Sequence, residues 1–193
     1  MHSVPDRDAH LRWKELSRRL IASCGIFDVF AAERISAAGR KGEFCILSAR
    51  DWVNVVPVLR PAAGEPSFLM VRQYRHGVEQ ITTEFPAGLV EKGEDPAAAA
   101  ARELLEETGY QAGRLTLIGD LHPNPAFMTN RCYTFLAEDL DPAGSQALDE
   151  LESLDSLALP VTEVQARAGR GEFVNALTLV ALMSYQRYRT EHT

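Results

Sequence analysis

Three glutamates at helical spacing are the residues of this chain best suited to chemistry. Glu103, Glu106 and Glu107 stand at i, i+3 and i+4, and such positions share one face of an α-helix. Carboxylates held that close repel each other unless a cation lies among them, and all-oxygen sites suit hard ions such as Mg²⁺ or Mn²⁺. The spacing is compatible with a divalent metal site, but a bare glutamate cluster is more often a solvated acidic helix face.

The residues around the glutamates predict a helix over about residues 96–108. Asp95 has the side chain of a helix N-cap, and Pro96 suits the first helical position, where a missing N–H costs nothing. A run of alanines, which are strong helix formers, comes next. Gly109 is placed to end the helix in a left-handed conformation. Arg102 is placed to pair with a neighbouring carboxylate and fix its rotamer.

The segment from Gly88 to Tyr110, GLVEKGEDPAAAAARELLEETGY, resembles the Nudix box, G-x5-E-x7-R-E-U-x-E-E-x-G-U, in which U is a bulky apolar residue. Every fixed position agrees, and only Tyr110 departs mildly, since an aliphatic residue is more usual there. The resemblance implies a hydrolase of nucleoside diphosphates linked to another group, dependent on divalent metals held by the box glutamates. Such metals neutralise the pyrophosphate and activate water.

Carried onto this chain residue by residue, the resemblance gives each box position a role. Glu103 and Glu107 are expected as direct metal ligands, and Glu106 as a third ligand or as the holder of a bound water. The backbone carbonyl of Ala87 is expected as a further ligand. The positions expected to support the loop and orient the ligands are Gly88, Glu94 and Arg102.

The flanks of the box resemble those of ADP-ribose and nucleoside-diphosphate-sugar pyrophosphatases. Gln73-Tyr74-Arg75 matches a QYR element, and Glu84 begins an E-x-PAG element. Pro125 lies 16 residues past Gly109, where such enzymes carry a proline, and it is expected to contact the substrate. Arg75 is expected to contact a phosphate or terminal ribose, with a surface ion pair as the alternative. Glu84 is expected to bind a ribose hydroxyl or to pair with Arg75.

Two further roles follow from the same resemblance. A loop glutamate deprotonates the attacking water in related enzymes, and Glu152, with Glu150 second, is the candidate here, against a plain acidic loop. In related enzymes, aromatic side chains near the third strand stack on the nucleotide base, and every base has a π face that allows such stacking. Trp52 is the candidate for this contact, with Phe27 or Phe30 or ordinary packing as alternatives.

Apolar periodicity predicts an α+β chain. An amphipathic helix is expected over residues 8–23, with Trp13, Leu16 and Leu20 along one side. Further helices are expected near residues 161–168 and 174–189. Strands are expected at about residues 26–35, 43–49, 53–60, 68–74, 82–85, 115–121, 131–137 and 154–159.

The resemblance implies a Nudix α/β/α sandwich with a mixed sheet, plus the N-terminal helix and a small antiparallel sheet. Residues 1–62 are expected to form the N-terminal helix and sheet region and residues 63–193 the hydrolase domain. In related enzymes the N-terminal strands reach across a two-fold dimer and help to build the partner's substrate pocket. A homodimer, which would cover exposed strand edges, is therefore expected.

Composition bounds the partners and the location. The 193 residues carry a net charge of −7, which argues against a nucleic-acid surface and an anionic membrane. No apolar run approaches a membrane span, and the N-terminus lacks a secretory h-region. Three scattered cysteines show no metal or redox pairing, so each is expected to be a small buried hydrophobe in a protein of the reducing cytoplasm.

Two other functions compete with hydrolysis of a nucleoside diphosphate sugar. A pyrophosphohydrolase of nucleoside triphosphates or capped RNA would share the box, but it usually lacks the QYR and E-x-PAG elements. A non-catalytic module that binds ADP-ribose tends to lose box glutamates and to accompany an effector domain. All box glutamates are present here, and no helix-turn-helix domain fits in the chain.

Overall fold

The computed structural model describes residues 7–148 and 153–192. The chain separates into two compact units. The first contains the described residues up to Arg50 together with His122–Asn130, and the second contains Asp51–Leu121 and the described residues from Arg131 onward. The division of function between residues 1–62 and 63–193 stays a prediction. None of the helices in the described part is long and apolar enough to cross a membrane.

The first unit is built on a three-stranded antiparallel sheet. Its strands follow each other in sequence order and are β1 (Trp13–Ser23), β2 (Phe27–Ser36) and β3 (Lys41–Ala49). The loop His122–Asn130 joins this sheet at Leu47, whose N–H donates to the Phe127 carbonyl at 2.8 Å. The small antiparallel sheet expected from the sequence is confirmed.

The helix predicted over residues 8–23 is wrong. Apart from a short 3₁₀ turn at Ala9–Leu11, this segment is strand β1. The pairing of β1 with β2 shifts register between Glu15 and Ser17, so β1 contains a bulge there. A bulge changes which side chains share a face, so two residues an odd number apart, such as Trp13 and Leu20, point to the same side. The resulting apolar spacing imitates the period of a helix.

The second unit contains a mixed sheet of seven described strands. In chain order they are β4 (Trp52–Leu59), β5 (Ser67–Arg75), β6 (Gln80–Glu84), β7 (Ala87–Leu89), β8 (Tyr110–Leu121), β9 (Cys132–Pro142) and β10 (Leu154–Pro160). The main path runs β10-β5-β4-β9-β8, with β6 on β5 and β7 on β4. Only β4 and β9 run parallel among these pairs, and the rest are antiparallel.

Helices cover both faces of this sheet. They are α1 (Pro96–Thr108), α2 (Val161–Arg167) and α3 (Ala176–Glu191). Alternate residues of β4 point to opposite faces, so Val53 and Val55 pack with Leu104 of α1. Val56 and Val58 belong to the cluster that contains α2 and α3 residues. The α/β/α sandwich is confirmed, and all three of its helices coincide with predicted ones to within a few residues.

The cysteines are only partly as expected. Cys132, at the start of β9, is buried, and burial raises the pKa of its thiol to about 12. Cys24 and Cys45 are exposed, so their prediction as buried hydrophobes is wrong. Both lie in the first unit, whose strand β1 is exposed along its whole length.

Candidate active site

Helix α1 has the caps that the sequence predicts. The Asp95 carboxylate accepts hydrogen bonds from the backbone N–H groups of Ala97 at 2.9 Å and Ala98 at 3.3 Å. At the other end Gly109 has a φ of 74°, and its N–H donates to the Leu105 carbonyl. These caps fix both ends of the helix, so the direction in which its glutamates project is also fixed.

Gly88 is required because the Glu103 carboxylate occupies the space beside it. A Cβ built at Gly88 would lie 2.0 Å from Oε1 and 2.1 Å from Cδ of Glu103. The Glu103 side chain is 13% exposed. The first glycine of the motif therefore permits close packing between β7 and α1, which places the Glu103 carboxylate directly against the backbone of β7.

Arg102 joins three glutamates. Its Nε donates to Glu94 Oε1 at 3.0 Å, and its Nη1 donates to Glu103 Oε1 at 2.8 Å and to Glu106 Oε2 at 3.0 Å. Its Nη2 also reaches the Leu89 carbonyl at 3.0 Å. The hydrogen bond from Arg102 lowers the pKa of Glu94, and these carboxylates raise the pKa of Arg102 despite its partial burial. The predicted pairing of Arg102 is confirmed, with more partners than the sequence could indicate.

Glu107 is the most buried of the three helix glutamates. The residue is 3% exposed, and its Oε2 accepts a hydrogen bond from the Ala87 N–H at 3.0 Å. A carboxylate is seldom buried without a partner, and here the backbone of β7 provides one. Glu107 thus fastens α1 to the residue whose carbonyl the sequence predicts as a ligand.

The donors around Gly88 fit a hard divalent cation in type. They are the carboxylates of Glu103, Glu106 and Glu107 and the Ala87 carbonyl, and oxygen donors of this kind suit such ions. Among the described residues, however, no three acidic, histidine or cysteine side chains converge as an ion would require. In this arrangement Glu103 and Glu106 turn to Arg102, and Glu107 turns to Ala87. The donor types therefore fit a divalent cation, but the donor atoms are not already arranged around one position.

A cavity of about 320 Å³ opens beside Gly88. Its walls come from β4, β5, β7 and the start of α3, and they include Trp52, Val53, Arg75, Ala87, Gly88, Leu89, Asn175 and Leu177. Trp52 and Arg75, both predicted as substrate contacts, thus line one cavity together with Gly88 of β7. An indole and a guanidinium on the walls suit a ligand with an aromatic base and an anionic group.

Arg75 and Glu84 form a two-pronged ion pair. Arg75 Nε donates to Glu84 Oε1 at 2.9 Å, and Nη2 donates to Oε2 at 2.7 Å. Glu84 is 2% exposed. Burial raises the pKa of Glu84, but the hydrogen bonds that it accepts, led by those from Arg75, outweigh burial and lower the pKa overall. Of the alternatives for Glu84, the pairing with Arg75 is the one that this structure contains.

One polar residue of the cavity wall and one that supports the segment before it were missed from the sequence. Asn175, the N-cap of α3, donates from Nδ2 to Glu84 Oε2 at 2.6 Å. Glu172 accepts hydrogen bonds from Arg72 at 2.9 and 2.8 Å and from Thr83 at 3.1 Å. An Asn before an apolar run is a readable helix-cap signal. Its contact with a residue 91 positions away is not encoded in any local pattern.

A loop after β9 packs on the C-terminal end of α1. The Gln146 side chain donates to the Glu107 carbonyl at 2.5 Å, and the Ala147 N–H donates to the Glu106 carbonyl at 2.9 Å. A Cβ at Gly109 would lie 2.5 Å from the Gly144 carbonyl oxygen, so the last glycine of the motif also permits this approach. The helix carbonyls that would lack partners are thereby satisfied.

Three candidates lie outside the part of the second unit that the structure describes. Glu150 and Glu152 lie outside the described residues. Pro125 lies in the loop His122–Asn130, which belongs to the first unit. Their predicted roles as water-activating base and substrate contact stay predictions.

A glycine packed against a helix that carries three glutamates, on an α/β/α sandwich, is typical of a class of hydrolases that act on pyrophosphate bonds. The chain belongs to the Nudix family, because its residues 50–177 match the model of the NUDIX domain. Hydrolases of this family generally depend on divalent metal ions.

Several characterised proteins are similar to this chain in sequence or in fold. An ADP-ribose pyrophosphatase from Bacillus subtilis is 30% identical over 177 residues, which are 91% of this chain and 94% of that protein. An ADP-ribose pyrophosphatase from Mycobacterium tuberculosis is 35% identical over 123 residues, 63% of this chain and 59% of that protein. A crystal structure of an ADP compounds hydrolase shares the fold with a TM-score of 0.82 at 24% identity, covering 94% of this chain and 96% of that one.

Proposed function

We propose that this protein hydrolyses the pyrophosphate bond of ADP-ribose or a related nucleoside diphosphate sugar. The observation that carries the proposal is the position of Gly88, which lines the cavity with Trp52 and Arg75 and also packs on the Glu103 carboxylate. A substrate bound in that cavity would have its pyrophosphate next to the glutamates. The names of the related ADP-ribose pyrophosphatases agree with this substrate class.

The proposed metal ligands are the carboxylates of Glu103, Glu106 and Glu107 and the carbonyl of Ala87. When bound, Mg²⁺ or Mn²⁺ supplies neutralisation of the pyrophosphate charge and activation of the attacking water. The protein's own contribution is positioning, since Arg102 holds Glu103 and Glu106 and the Ala87 N–H holds Glu107. Groups fixed before the reaction do not have to reorganise during it.

Three further residues are proposed to bind the substrate and to orient it. Arg75 is proposed to contact a phosphate or the terminal ribose from the cavity wall, held there by its bonds to Glu84. Trp52 is proposed to stack on the base, and Pro125 to contact the substrate. Water attacks one phosphorus, the P–O–P bond breaks, and the products are a nucleoside monophosphate and a sugar phosphate.

Glu152 is proposed to take the proton of the attacking water, with Glu150 as the second candidate. The described residues shortly before them in the sequence support this assignment, because Gln146 and Ala147 donate hydrogen bonds to the carbonyls of Glu107 and Glu106. The acidic segment therefore follows, within a few residues, a point fixed on the metal-binding helix. A general base has to come within hydrogen-bond reach of its water.

A homodimer in the cytoplasm is proposed as the working form. Strand β1 exposes large apolar side chains, among them Trp13, Leu16, Leu20 and Ile21, which a second copy would cover. Light scattering at micromolar concentration tests this directly. A mass near twice 21.3 kDa is expected, and a monomer would contradict the proposal.

The substrate assignment is tested with a panel of anhydrides. The purified protein is incubated with Mg²⁺ or Mn²⁺ and ADP-ribose, ADP-glucose, GDP-mannose, UDP-glucose, NADH or dGTP, with phosphate release followed after phosphatase coupling. Turnover of ADP-ribose or a nucleotide sugar at least about tenfold faster than dGTP is expected, because a specific pocket readily gives discrimination of that order. Cleavage of dGTP alone would contradict the substrate class, and no cleavage at all would favour a binding module.

A further inference from the structure

Asn175 stands where helix α3 meets the substrate cavity. Its Oδ1 accepts hydrogen bonds from the N–H groups of Leu177 at 2.8 Å and Thr178 at 3.4 Å, so it caps the helix. The same residue lines the cavity beside Arg75. Capping alone would be satisfied equally well by serine or aspartate.

The amide nitrogen of Asn175 performs a second task for which aspartate has no donor and for which the serine hydroxyl, one bond nearer the backbone, is too short. Nδ2 donates to Glu84 Oε2 at 2.6 Å, while the Thr82 hydroxyl donates to Oε1 at 2.5 Å. Together with the two bonds from Arg75, these contacts surround a carboxylate that is 2% exposed. A buried carboxylate that loses a donor is left incompletely paired, and its partners then shift or admit water.

The position of Asn175 is itself fixed by a second polar contact. Glu172, three residues earlier, accepts bonds from Arg72 and Thr83, and its own carbonyl accepts from the Thr83 N–H at 2.8 Å. The segment before α3 is therefore tied to β5 and β6, the strands that carry Arg75 and Glu84. Both ends of the Asn175–Glu84 hydrogen bond rest on strands or a helix rather than on an untethered loop.

We propose that Asn175 is a positioning residue for substrate binding, which holds Glu84 and, through it, Arg75 on the cavity wall. The inference rests on the proposed function, in which Arg75 contacts a phosphate or the terminal ribose. Because Asn175 acts on binding rather than on the reacting phosphorus, its loss should raise KM and leave kcat nearly unchanged.

Two substitutions separate the donor role from the cap. Asn175→Ser keeps a good N-cap, but its hydroxyl sits on Cβ and no longer reaches Glu84 Oε2. We expect KM for ADP-ribose to rise about tenfold with kcat within about twofold, a change of the size of one lost hydrogen bond to a charged group. Asn175→Asp also keeps the cap but sets a carboxylate against Glu84, so its KM should rise further. Circular dichroism and thermal unfolding establish that each variant is folded.

Met183→Gly is the matched control. Met183 is an exposed residue of α3 far along the helix from Asn175, and glycine weakens a helix without touching Glu84. If Asn175 acts only through the stability of α3, Met183→Gly should raise KM as well, and that result would overturn the proposal. A KM within about twofold of wild type in both folded Asn175 variants would also overturn it, since a lost hydrogen bond to a charged group costs more.

A second readout does not depend on turnover. The Nε–H of Arg75 donates to Glu84, and its NMR resonance can be assigned by its disappearance in Arg75→Lys. Faster hydrogen exchange at this N–H in Asn175→Ser, by about tenfold or more, is expected from a weakened ion pair. Unchanged exchange would refute the positioning role. If the wild type cleaves no nucleoside diphosphate sugar, the proposed function fails while this measurement still decides on the contact.

Discussion

Replacing Gly88 with alanine should disable the enzyme by displacing one glutamate. The added methyl group would lie 2.0 Å from Oε1 and 2.1 Å from Cδ of Glu103. Non-bonded heavy atoms prefer separations of about 3.5–4.0 Å, so the carboxylate has to move by more than about 1 Å. It would also give up its 2.8 Å hydrogen bond from Arg102.

The expected cost falls on catalysis more than on folding. A misplacement of about 1 Å in an active site can cost about a hundredfold in rate, which corresponds to about 2.7 kcal/mol of transition-state stabilisation. The lost hydrogen bond at a partly buried position should cost about 1 kcal/mol of stability. The clash involves the end of a flexible side chain, so the fold should tolerate it.

The assay compares kcat/KM for ADP-ribose in wild type, Gly88→Ala and the control Gly77→Ala. A Cβ at Gly77 would meet nothing within 4 Å, so the control should retain wild-type activity. We expect Gly88→Ala to lose at least about a hundredfold with its circular dichroism unchanged. A folded Gly88→Ala with more than about a tenth of wild-type activity would refute the argument.

Two further predictions concern stability. Gly109→Ala should lower the free energy of unfolding by clearly more than Gly169→Ala. Both glycines have φ near 75°, so in both variants alanine is held in the left-handed conformation at a cost of about 1–2 kcal/mol, but only the Cβ at Gly109 would meet a carbonyl oxygen at 2.5 Å. Equal losses of stability on urea unfolding would contradict the packing of the loop after β9 on α1. The hydrogen bonds from Arg72 lower the pKa of Glu172 from 4.5 to about 2, so its carboxylate stabilises the fold above pH 4.5 and loses this effect as the pH falls towards 2. The Tm difference between wild type and Glu172→Gln should shrink over that range, and a difference independent of pH would contradict the ion pair.

Local signals in the sequence were sufficient for most of the sandwich. Helix α1 follows from Asp95, Pro96 and Gly109, whose capping roles depend only on neighbouring residues. Strands β2 to β5 and β8 to β10 coincide with apolar runs, because a strand buried on one or both faces needs such a run. The three-residue strand β7 is too short to leave a periodic signal, and it was not predicted.

The failures have physical causes that lie outside local sequence. The bulge in β1 gives apolar residues a helical spacing, so Trp13 and Leu20 misled the periodicity argument. The exposure of Cys24 and Cys45 depends on how much the first unit covers, which residue type does not reveal.

The family motif identifies the glutamates that are proposed as ligands, but it does not show how the protein holds them. Arg102 was expected to have one carboxylate partner and has three. Asn175 was visible only as part of a helix start, since its bond to Glu84 joins residues 91 positions apart. Contacts of this kind become visible only when the strands and helices are assembled, which is why the residues that hold the glutamates were harder to predict than helix α1 itself.

The most direct test of the account is the effect of Glu107→Gln on metal binding and on hydrolysis of ADP-ribose. Glu163→Gln, the same chemical change on α2 of the same unit, is the control. We predict that Glu107→Gln stays folded, binds Mn²⁺ more weakly and loses at least about a hundredfold in rate, whereas Glu163→Gln behaves as wild type. A folded Glu107→Gln with normal Mn²⁺ affinity and more than about a tenth of the wild-type rate would contradict the assignment of these glutamates to the metal site.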